Sequence, residues 1–478
     1  MVQQPIPTPR GFCPEGLKET VQDNKMYRKM TITYQSGGAG TAGRPAKRGP
    51  VVATRIPWDS ARQQALDTLR ALIRLNTANP PGNERLATGY LSGELGRHGI
   101  GSVVLESRPA RANLVARLAG RDSNKAPLMV SAHTDVVPVE PGWTRPAFGG
   151  EIADGCVWGR GALDMKSKCA MDIVLMTAIK RAGAVPERDL IAACVADEEC
   201  GSEFGAKFLV QQHPELIRAG YVLNEAGGFT CHVGNDRFYP VQVAEKGYVT
   251  VKVTVTDAPG HGAVPRSRTA ITRLAELILK VANTPMRLNA TALMRSSLAA
   301  IGVALDNVPP LLVPMITNTA SPTMIRAGYK DNVIPGEASM VLDGRILPGE
   351  NPESFCAELR SIIGTEPALE LVKTAPPIEF AVQTPLFASI RKHTEAADPG
   401  ARVLPWMIPT GTDSKYYGQL GAVCYGFAPV KLAPEMPFGA LYHAHDERMP
   451  LEGFFWGLRL YAQVVLDFLG LRFEDVFA

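Results

Sequence analysis

The run Ala126-Pro127-Leu128-Met129-Val130-Ser131-Ala132-His133-Thr134-Asp135 decides how this chain is read. A proline opens it, an almost unbroken apolar stretch carries it, and it stops on an imidazole and a carboxylate. A short continuous apolar run bounded by breakers is the pattern of a strand buried on both faces. His133 is therefore expected at the C-terminal end of a strand.

Upstream, Ala61, Ala65, Leu66, Leu69, Leu72 and Ile73 recur at helical spacing, ending near Asn76 to Pro81. A second helical stretch covers 87–98, and strands are expected over 102–106 and 113–118. Downstream the grammar repeats. A helix over 167–182 leads to the apolar run 190–195, which delivers Glu198 and Glu199. A helix over 202–212 then leads to 220–223, which delivers Glu225. Alternating strand and helix implies an α/β fold with a mostly parallel, two-sided sheet, and such sheets bind ligands beyond the carboxyl ends of their strands.

After Lys246 the texture changes, because Tyr248 to Val255 alternates with period two, as a strand with one wet face does. A helix over 269–283, an irregular Pro-rich stretch over 284–322, an alternating strand over 338–345 and a helix over 352–364 come next. These elements predict a small α+β domain inserted at 247–372. The α/β pattern returns with a helix over 385–396, a buried run over 422–427 and a helix over 451–469. The larger domain is thus expected to be discontinuous, as 56–246 and 373–478. Residues 1–55 lack a secretory apolar region, hold more basic than acidic groups and include a Gly-rich run, so a poorly ordered extension is expected.

Composition narrows the class. Among 478 residues, 45% are apolar and 20% charged, with a net charge of +3, which predicts a globular protein with neither nucleic acid nor membrane as partner. No apolar run reaches transmembrane length, since 298–316 is broken by Asp306, Asn307 and prolines. The eight cysteines form no CxxC pair and mostly have apolar neighbours, which predicts reduced, buried thiols and a cytoplasmic location. Cys194 and Cys200 flank the acidic pair but are read as packing residues.

The polar islands carry the chemistry. In His133-Thr134-Asp135, a carboxylate near a histidine is often structural, yet Asp135 could also hold the ring nitrogen that faces away from a metal. Asp164, in Gly159-Arg160-Gly161-Ala162-Leu163-Asp164, suits a helix N-cap and equally a carboxylate bridging two metals. Glu198-Glu199 would repel one another if buried, unless a dication lies between; one could ligate while the other moves protons. In His443-Ala444-His445-Asp446-Glu447 at most one histidine need bind. His261, in Pro259-Gly260-His261-Gly262, taken alone reads as a loop residue.

With these islands in order over roughly residues 57–470, the chain resembles the cocatalytic zinc peptidases that include aminoacylase-1, carboxypeptidase G, carboxypeptidase S-like enzymes, carnosinase and succinyl-diaminopimelate desuccinylase. The resemblance implies that His133, Asp164 and Glu225 hold one zinc and Asp164, Glu199 and His443 the other, with cobalt or manganese able to substitute. Glu198 is implied as general base and Asp135 as the carboxylate behind His133. His443 is preferred to His445 because it matches the family's His-x-x-Asn/Asp-Glu. The inserted domain resembles a lid that commonly makes a homodimer. Its His261 is implied to stabilise an oxyanion in a neighbouring site, and Asn332 and Arg345 to bind the substrate's carboxylate end. Gly411, Thr412 and Asp413 match the loop closing over that end.

Asn224 stands where relatives often carry Asp or Gly, which leaves the ligand expectation intact and alters its support. The long stretch 284–322, Leu223 to Phe229 and Glu245-Lys246-Gly247 are similar to the carboxypeptidase S-like and N-acyl-amino-acid hydrolase branch. The implied function is hydrolysis, by zinc-bound hydroxide with a Glu base, of the amide bond of N-acyl-amino acids or short peptides carrying a free carboxylate. A dipeptidase requiring a free amine is the alternative within enzymes. A binding protein that has lost catalysis is the alternative outside them, although every expected ligand and the base are present.

Overall fold

In the computed structural model, which describes residues 55–436 and 438–478, Leu128–His133 lies inside a ten-stranded sheet. The order runs Ser102–Arg108, Arg111–Leu118, Leu190–Val195, Leu128–His133, Tyr221–Asn224, Val423–Gly426, Asp236–Glu245 and Ile378–Glu379. Arg402–Ile408 and Cys231–Val233 also pair with Asp236–Glu245. The centre, from Leu190–Val195 to Val423–Gly426, is parallel, and antiparallel strands close its margins.

Side-chain alternation fills both faces, as period-two geometry requires. Leu190, Ala192 and Cys194 point into a core shared with the helices Trp58–Arg74, Lys166–Arg181, Pro385–Ala397 and Leu451–Phe468. Ile191, Ala193 and Val195 point the other way, onto Ala206, Leu209 and Ile217. A strand apolar at every position is thus explained by two cores rather than one.

The chain leaves this sheet at Glu245 and begins another at Gly247. Thr319–Ala327, Glu337–Ile346, Gly247–Thr256 and Ala368–Ala375 form an antiparallel four-stranded sheet. Val249, Val251, Val253 and Val255 bury against the helices Ala270–Asn283 and Pro352–Ile363. Thr269 caps the first of these, its hydroxyl accepting the Thr272 N–H, and Asn351 caps the second. The last strand runs past the boundary expected at 372.

Several elements differ from expectation. The stretch 284–322 is not irregular throughout: it holds a helix, Ala292–Ala300, capped by Thr291, and a 3-10 turn, Pro310–Met315. Met294 and Leu298 of that helix pack with Ala244, Ile316, Leu347 and Met407, so tertiary burial completes a helix too short to announce itself by periodicity. The strands Asp236–Glu245 and Arg402–Ile408 are additional to those expected, and each contains a proline, Pro240 and Pro405, a residue uncommon in a central strand. They lie side by side in parallel, with Leu404 opposite Pro240 and Pro405 opposite Val241. The helix expected from Ser202 begins at Ala206.

Cys200 is exposed and Cys231 and Cys356 half-buried, so the thiols are not uniformly interior. No helix among the described residues is long and apolar enough to cross a membrane. The extension expected over 1–55 lies, but for Arg55, outside the described residues.

Candidate active site

Three central strands end beside one another. Leu128–His133 delivers His133, Leu190–Val195 leads to Glu198 and Glu199, and Tyr221–Asn224 leads to Glu225. Asp164 arrives on the turn before the helix Lys166–Arg181, and His443 on the turn after Phe438–Leu441.

The imidazoles and carboxylates converge around Asp164. Its Oδ1 lies 3.0 Å from His133 Nε2, and its Oδ2 lies 3.2 Å from His443 Nε2. His133 Nε2 is also 3.4 Å from Glu225 Oε2, and His443 Nε2 is 3.2 Å from Glu199 Oε2. One carboxylate thus faces two histidines with a separate oxygen for each. Two overlapping groups have ligand atoms within 4.8 Å of one another: His133, Glu198 and Glu225, and His133, Asp164 and Glu199.

The donor set fits divalent cations. Imidazole nitrogens and carboxylate oxygens are the groups that zinc and its neighbours take. Glu199 Oε1 and Glu225 Oε1 are buried without a hydrogen-bond partner, which buried oxygens rarely are. Burial drives the Glu198 carboxyl well above its ordinary range, with the Glu225 charge adding to it, and burial lifts Glu225 to about 7. A cation between these groups would relieve both effects.

A shell of hydrogen bonds fixes the cluster. His133 Nδ1 donates to the backbone carbonyl of Asp135 at 3.0 Å, closer than that residue's own carboxylate at 3.5 Å. The Asp135 carboxylate instead accepts the backbone N–H groups of Glu198 and Glu199, each at 3.2 Å, and Asn79 Nδ2 at 2.9 Å. Asn79 also donates to Asp197, which Arg111 joins at 2.8 Å while gripping Glu84. Asp197 adopts a left-handed backbone with φ of 68°, a conformation Asp tolerates, and so turns the chain into the acidic pair. Behind Asp164, buried Glu447 accepts the N–H groups of Gly161, Leu163 and Asp164 and pairs with Arg160 at 2.7 Å. Asn224 steadies the neighbourhood of Glu225 by donating to Thr412 Oγ1 and Ser414 Oγ.

Asn79, Arg111, Asp197 and Glu447 were absent from the sequence-derived set of site residues. Glu447 and Asp197 carried a signal, each standing in a polar island, two residues after His445 and directly before Glu198; Asn79 and Arg111 become visible through long-range contacts alone.

A cavity of about 940 Å³ opens from the cluster. Asp164, Glu198, Glu199, Glu225 and His443 line one part of it, with Gly411 and Thr412. Elsewhere its walls are mainly apolar, with Phe229 and Phe238, Leu404 and Trp406, Leu312 and Met315, and Ser167, Lys168, His232 and Thr410 also lie on them. Leu404, Trp406 and Ile408 reach it from one face of their strand, as alternation dictates. Asp413 is buried, its carboxyl raised to about 6 by burial.

His261, Asn332 and Arg345 do not line this cavity. His261 is exposed on the short strand Gly260–His261, which pairs with Val333–Ile334 next to exposed Asn332. The Arg345 guanidinium is held by Asp343 through two bonds of 2.9 and 3.1 Å. The His445 ring packs edge-on near Trp143, with centroids 6.4 Å apart.

Comparison with known proteins places the chain in a family. The chain is 24% identical over 433 residues, 82% of its length and 83% of the relative's, to the N-fatty-acyl-amino acid synthase/hydrolase PM20D1.1 of Danio rerio. It is 26% identical over 413 residues, 83% of its length and 93% of the relative's, to aminoacylase-1 of Sus scrofa. Among solved structures, an M20 family metallo-carboxypeptidase of Sulfolobus solfataricus superposes with a TM-score of 0.67 at 16% identity, covering 85% of this chain and 99% of that one. Residues 129–467 match the sequence pattern of peptidase family M20/M25/M40, more than half of the chain. Clustered imidazoles and carboxylates at the strand ends of an α/β sheet are thus joined to a family-wide match, and the chain belongs to peptidase family M20/M25/M40 as a metal-dependent peptidase or amidohydrolase.

Proposed function

We propose that this protein hydrolyses the amide bond of N-acyl-amino acids whose acyl group is long and apolar, at a centre of two zinc ions. The observation that carries the proposal is the cavity: its carboxylate end and its apolar end are one space. Its volume is near the top of the about 300 to 1,000 Å³ range of ligand sites, and its walls offer an acyl chain contacts that a charged peptide amine would not find. The name of the Danio rerio relative, an N-fatty-acyl-amino acid synthase/hydrolase, supports the same substrate class.

In this reading His133, Asp164 and Glu225 would hold one metal and Asp164, Glu199 and His443 the other. Bound divalent cations would supply polarisation of the amide carbonyl and a lowered pKa for an attacking water. The protein's own residues do the rest. Glu198 takes the proton from the attacking water and passes it to the amide nitrogen as the C–N bond breaks. Asp135 positions this base through the backbone N–H of Glu198 and fixes the His133 ring through its own carbonyl. Gly411, Thr412 and Asp413 form the loop that closes over the substrate's carboxylate end.

His261, Asn332 and Arg345 enter the proposal through a homodimer built on the four-stranded sheet. There the histidine of one copy would complete the oxyanion site of the other, and Asn332 and Arg345 would receive the free carboxylate. A cytoplasmic location is supported by the described cysteines, all of which are free.

The test compares three substrates of one amino acid on the metal-loaded protein: N-dodecanoyl, N-acetyl and a dipeptide with a free amine. The proposal expects the largest kcat/KM for the dodecanoyl compound. Preference for the dipeptide, with the acyl compounds left intact, would instead establish the free-amine dipeptidase.

A further inference from the structure

Glu245 and Lys246 sit where the chain passes from the ten-stranded sheet to the four-stranded one, and both side chains are buried. Adjacent residues of an extended chain face opposite ways, and these two reach different segments of the cavity lining. The Glu245 carboxylate accepts the Thr412 N–H at 3.0 Å and the Thr412 hydroxyl, and Gln242 donates to it at 3.1 Å. Thr412 belongs to the loop that lines the cavity beside the carboxylates, together with Pro409, Thr410 and Gly411.

Lys246 reaches the other segment. Its ammonium donates to the carbonyls of Pro314 at 3.1 Å and Thr317 at 2.9 Å and to Thr319 Oγ1 at 3.2 Å. These three acceptors match the three protons of the group, and no carboxylate pairs with it among the described residues. The backbone it grips is the 3-10 turn Pro310–Met315 and the adjoining residues 316–319. Leu311, Leu312, Pro314 and Met315 of that turn line the apolar part of the cavity. A buried amino group donating to main-chain carbonyls fixes backbone rather than one rotamer, so the position of the whole turn depends on it. Without it, the buried Thr317 carbonyl would lose this donor in the interior.

We infer that Lys246 is a positioning residue that sets the acyl-chain selectivity of the cavity, holding the apolar wall in place while its neighbour Glu245 holds the wall beside the carboxylates. Neither residue touches the reacting atoms. The inference rests on the proposed N-acyl-amino acid substrate, and it predicts a split that general damage to the fold would not produce: loss concentrated in KM for long acyl chains.

The experiment measures kcat and KM of wild type, Lys246→Met and Thr319→Val on N-dodecanoyl and N-acetyl forms of one amino acid, with metal content and far-UV circular dichroism recorded. For Lys246→Met, kcat/KM for the dodecanoyl substrate should fall about tenfold further than that for the acetyl substrate, through KM. Thr319→Val, which removes one acceptor and buries no unpaired charge, should shift the ratio the same way by less, and keeps the test alive should Lys246→Met not fold. Parallel losses on both substrates, or a loss confined to kcat, would overturn the inference while leaving the substrate assignment intact. A wild type that hydrolyses neither substrate would overturn the substrate assignment and the inference with it.

Discussion

Glu447 accepts the backbone N–H of Asp164 at 3.1 Å, so the carboxylate that faces both His133 and His443 hangs from a turn tied down by another carboxylate. The same Glu447 side chain takes the N–H groups of Gly161 and Leu163 and pairs with buried Arg160. A turn rich in glycine would otherwise wander, and with it the spacing of the two candidate metal positions.

Glu447→Gln should therefore harm metal binding more than its distance from the cavity suggests. The amide puts a donor where three backbone donors converge and leaves Arg160 without its counter-charge. Removing one partner of a buried ion pair costs about 3 kcal/mol or more. Urea unfolding should show a loss of that order, and titration with zinc should show weaker binding.

Asn79→Ala tests the other support. Asn79 is shared by the carboxylates of Asp135 and Asp197, and its loss leaves both without that donor. Outer-shell changes of this kind cost about 10- to 100-fold in metal affinity or activity. Competition against a chelator should place the loss within that range while the circular dichroism spectrum stays unchanged.

Lys246 also gives a signed dependence of stability on pH. Burial, aided by the nearby Arg345 charge and opposed by Asp343, pushes its pKa down from 10.5 to about 7. Between those values the unfolded chain binds more protons at this site than the folded one, so stability rises with pH across that window. Below about pH 7 both states hold the proton and the cost is complete. The difference in unfolding free energy between wild type and Lys246→Met should therefore move in favour of wild type from about pH 7 to pH 10. A difference flat across that range would show that Lys246 keeps an ordinary pKa.

How much of this was legible in the sequence depends on the range of the interactions involved. His133, Glu198, Glu199 and Glu225 were readable because each stands at the end of a buried strand or a few residues past it, and a two-sided sheet gathers strand ends at one edge. The convergence of Asp164 with His443 was not readable from spacing, since 278 intervening residues separate them; the family resemblance supplied the pairing. The two strands that carry Phe238, Leu404 and Trp406, and with them the apolar cavity, were not among those expected, and each contains a proline, Pro240 and Pro405, a residue uncommon in a central strand. The helix Ala292–Ala300 was hidden as well, being held by contacts with Ala244 and Met407 from elsewhere in the chain. Lys246 showed only as part of a short family motif, because its partners, Pro314 and Thr317, offer main-chain carbonyls that no side-chain pattern marks.

The most direct test of a two-metal amide hydrolase is the titration of metal-free protein with zinc, following bound metal and release of free amino acid from an N-dodecanoyl-amino acid in the same samples. Activity should be absent before zinc is added and should reach its plateau as two equivalents bind. Glu198→Gln should bind the same two equivalents with turnover reduced by at least about 100-fold, the usual contribution of a positioned general base. Saturation of the wild type at two equivalents with no amino acid released, or full activity without metal, would contradict the account.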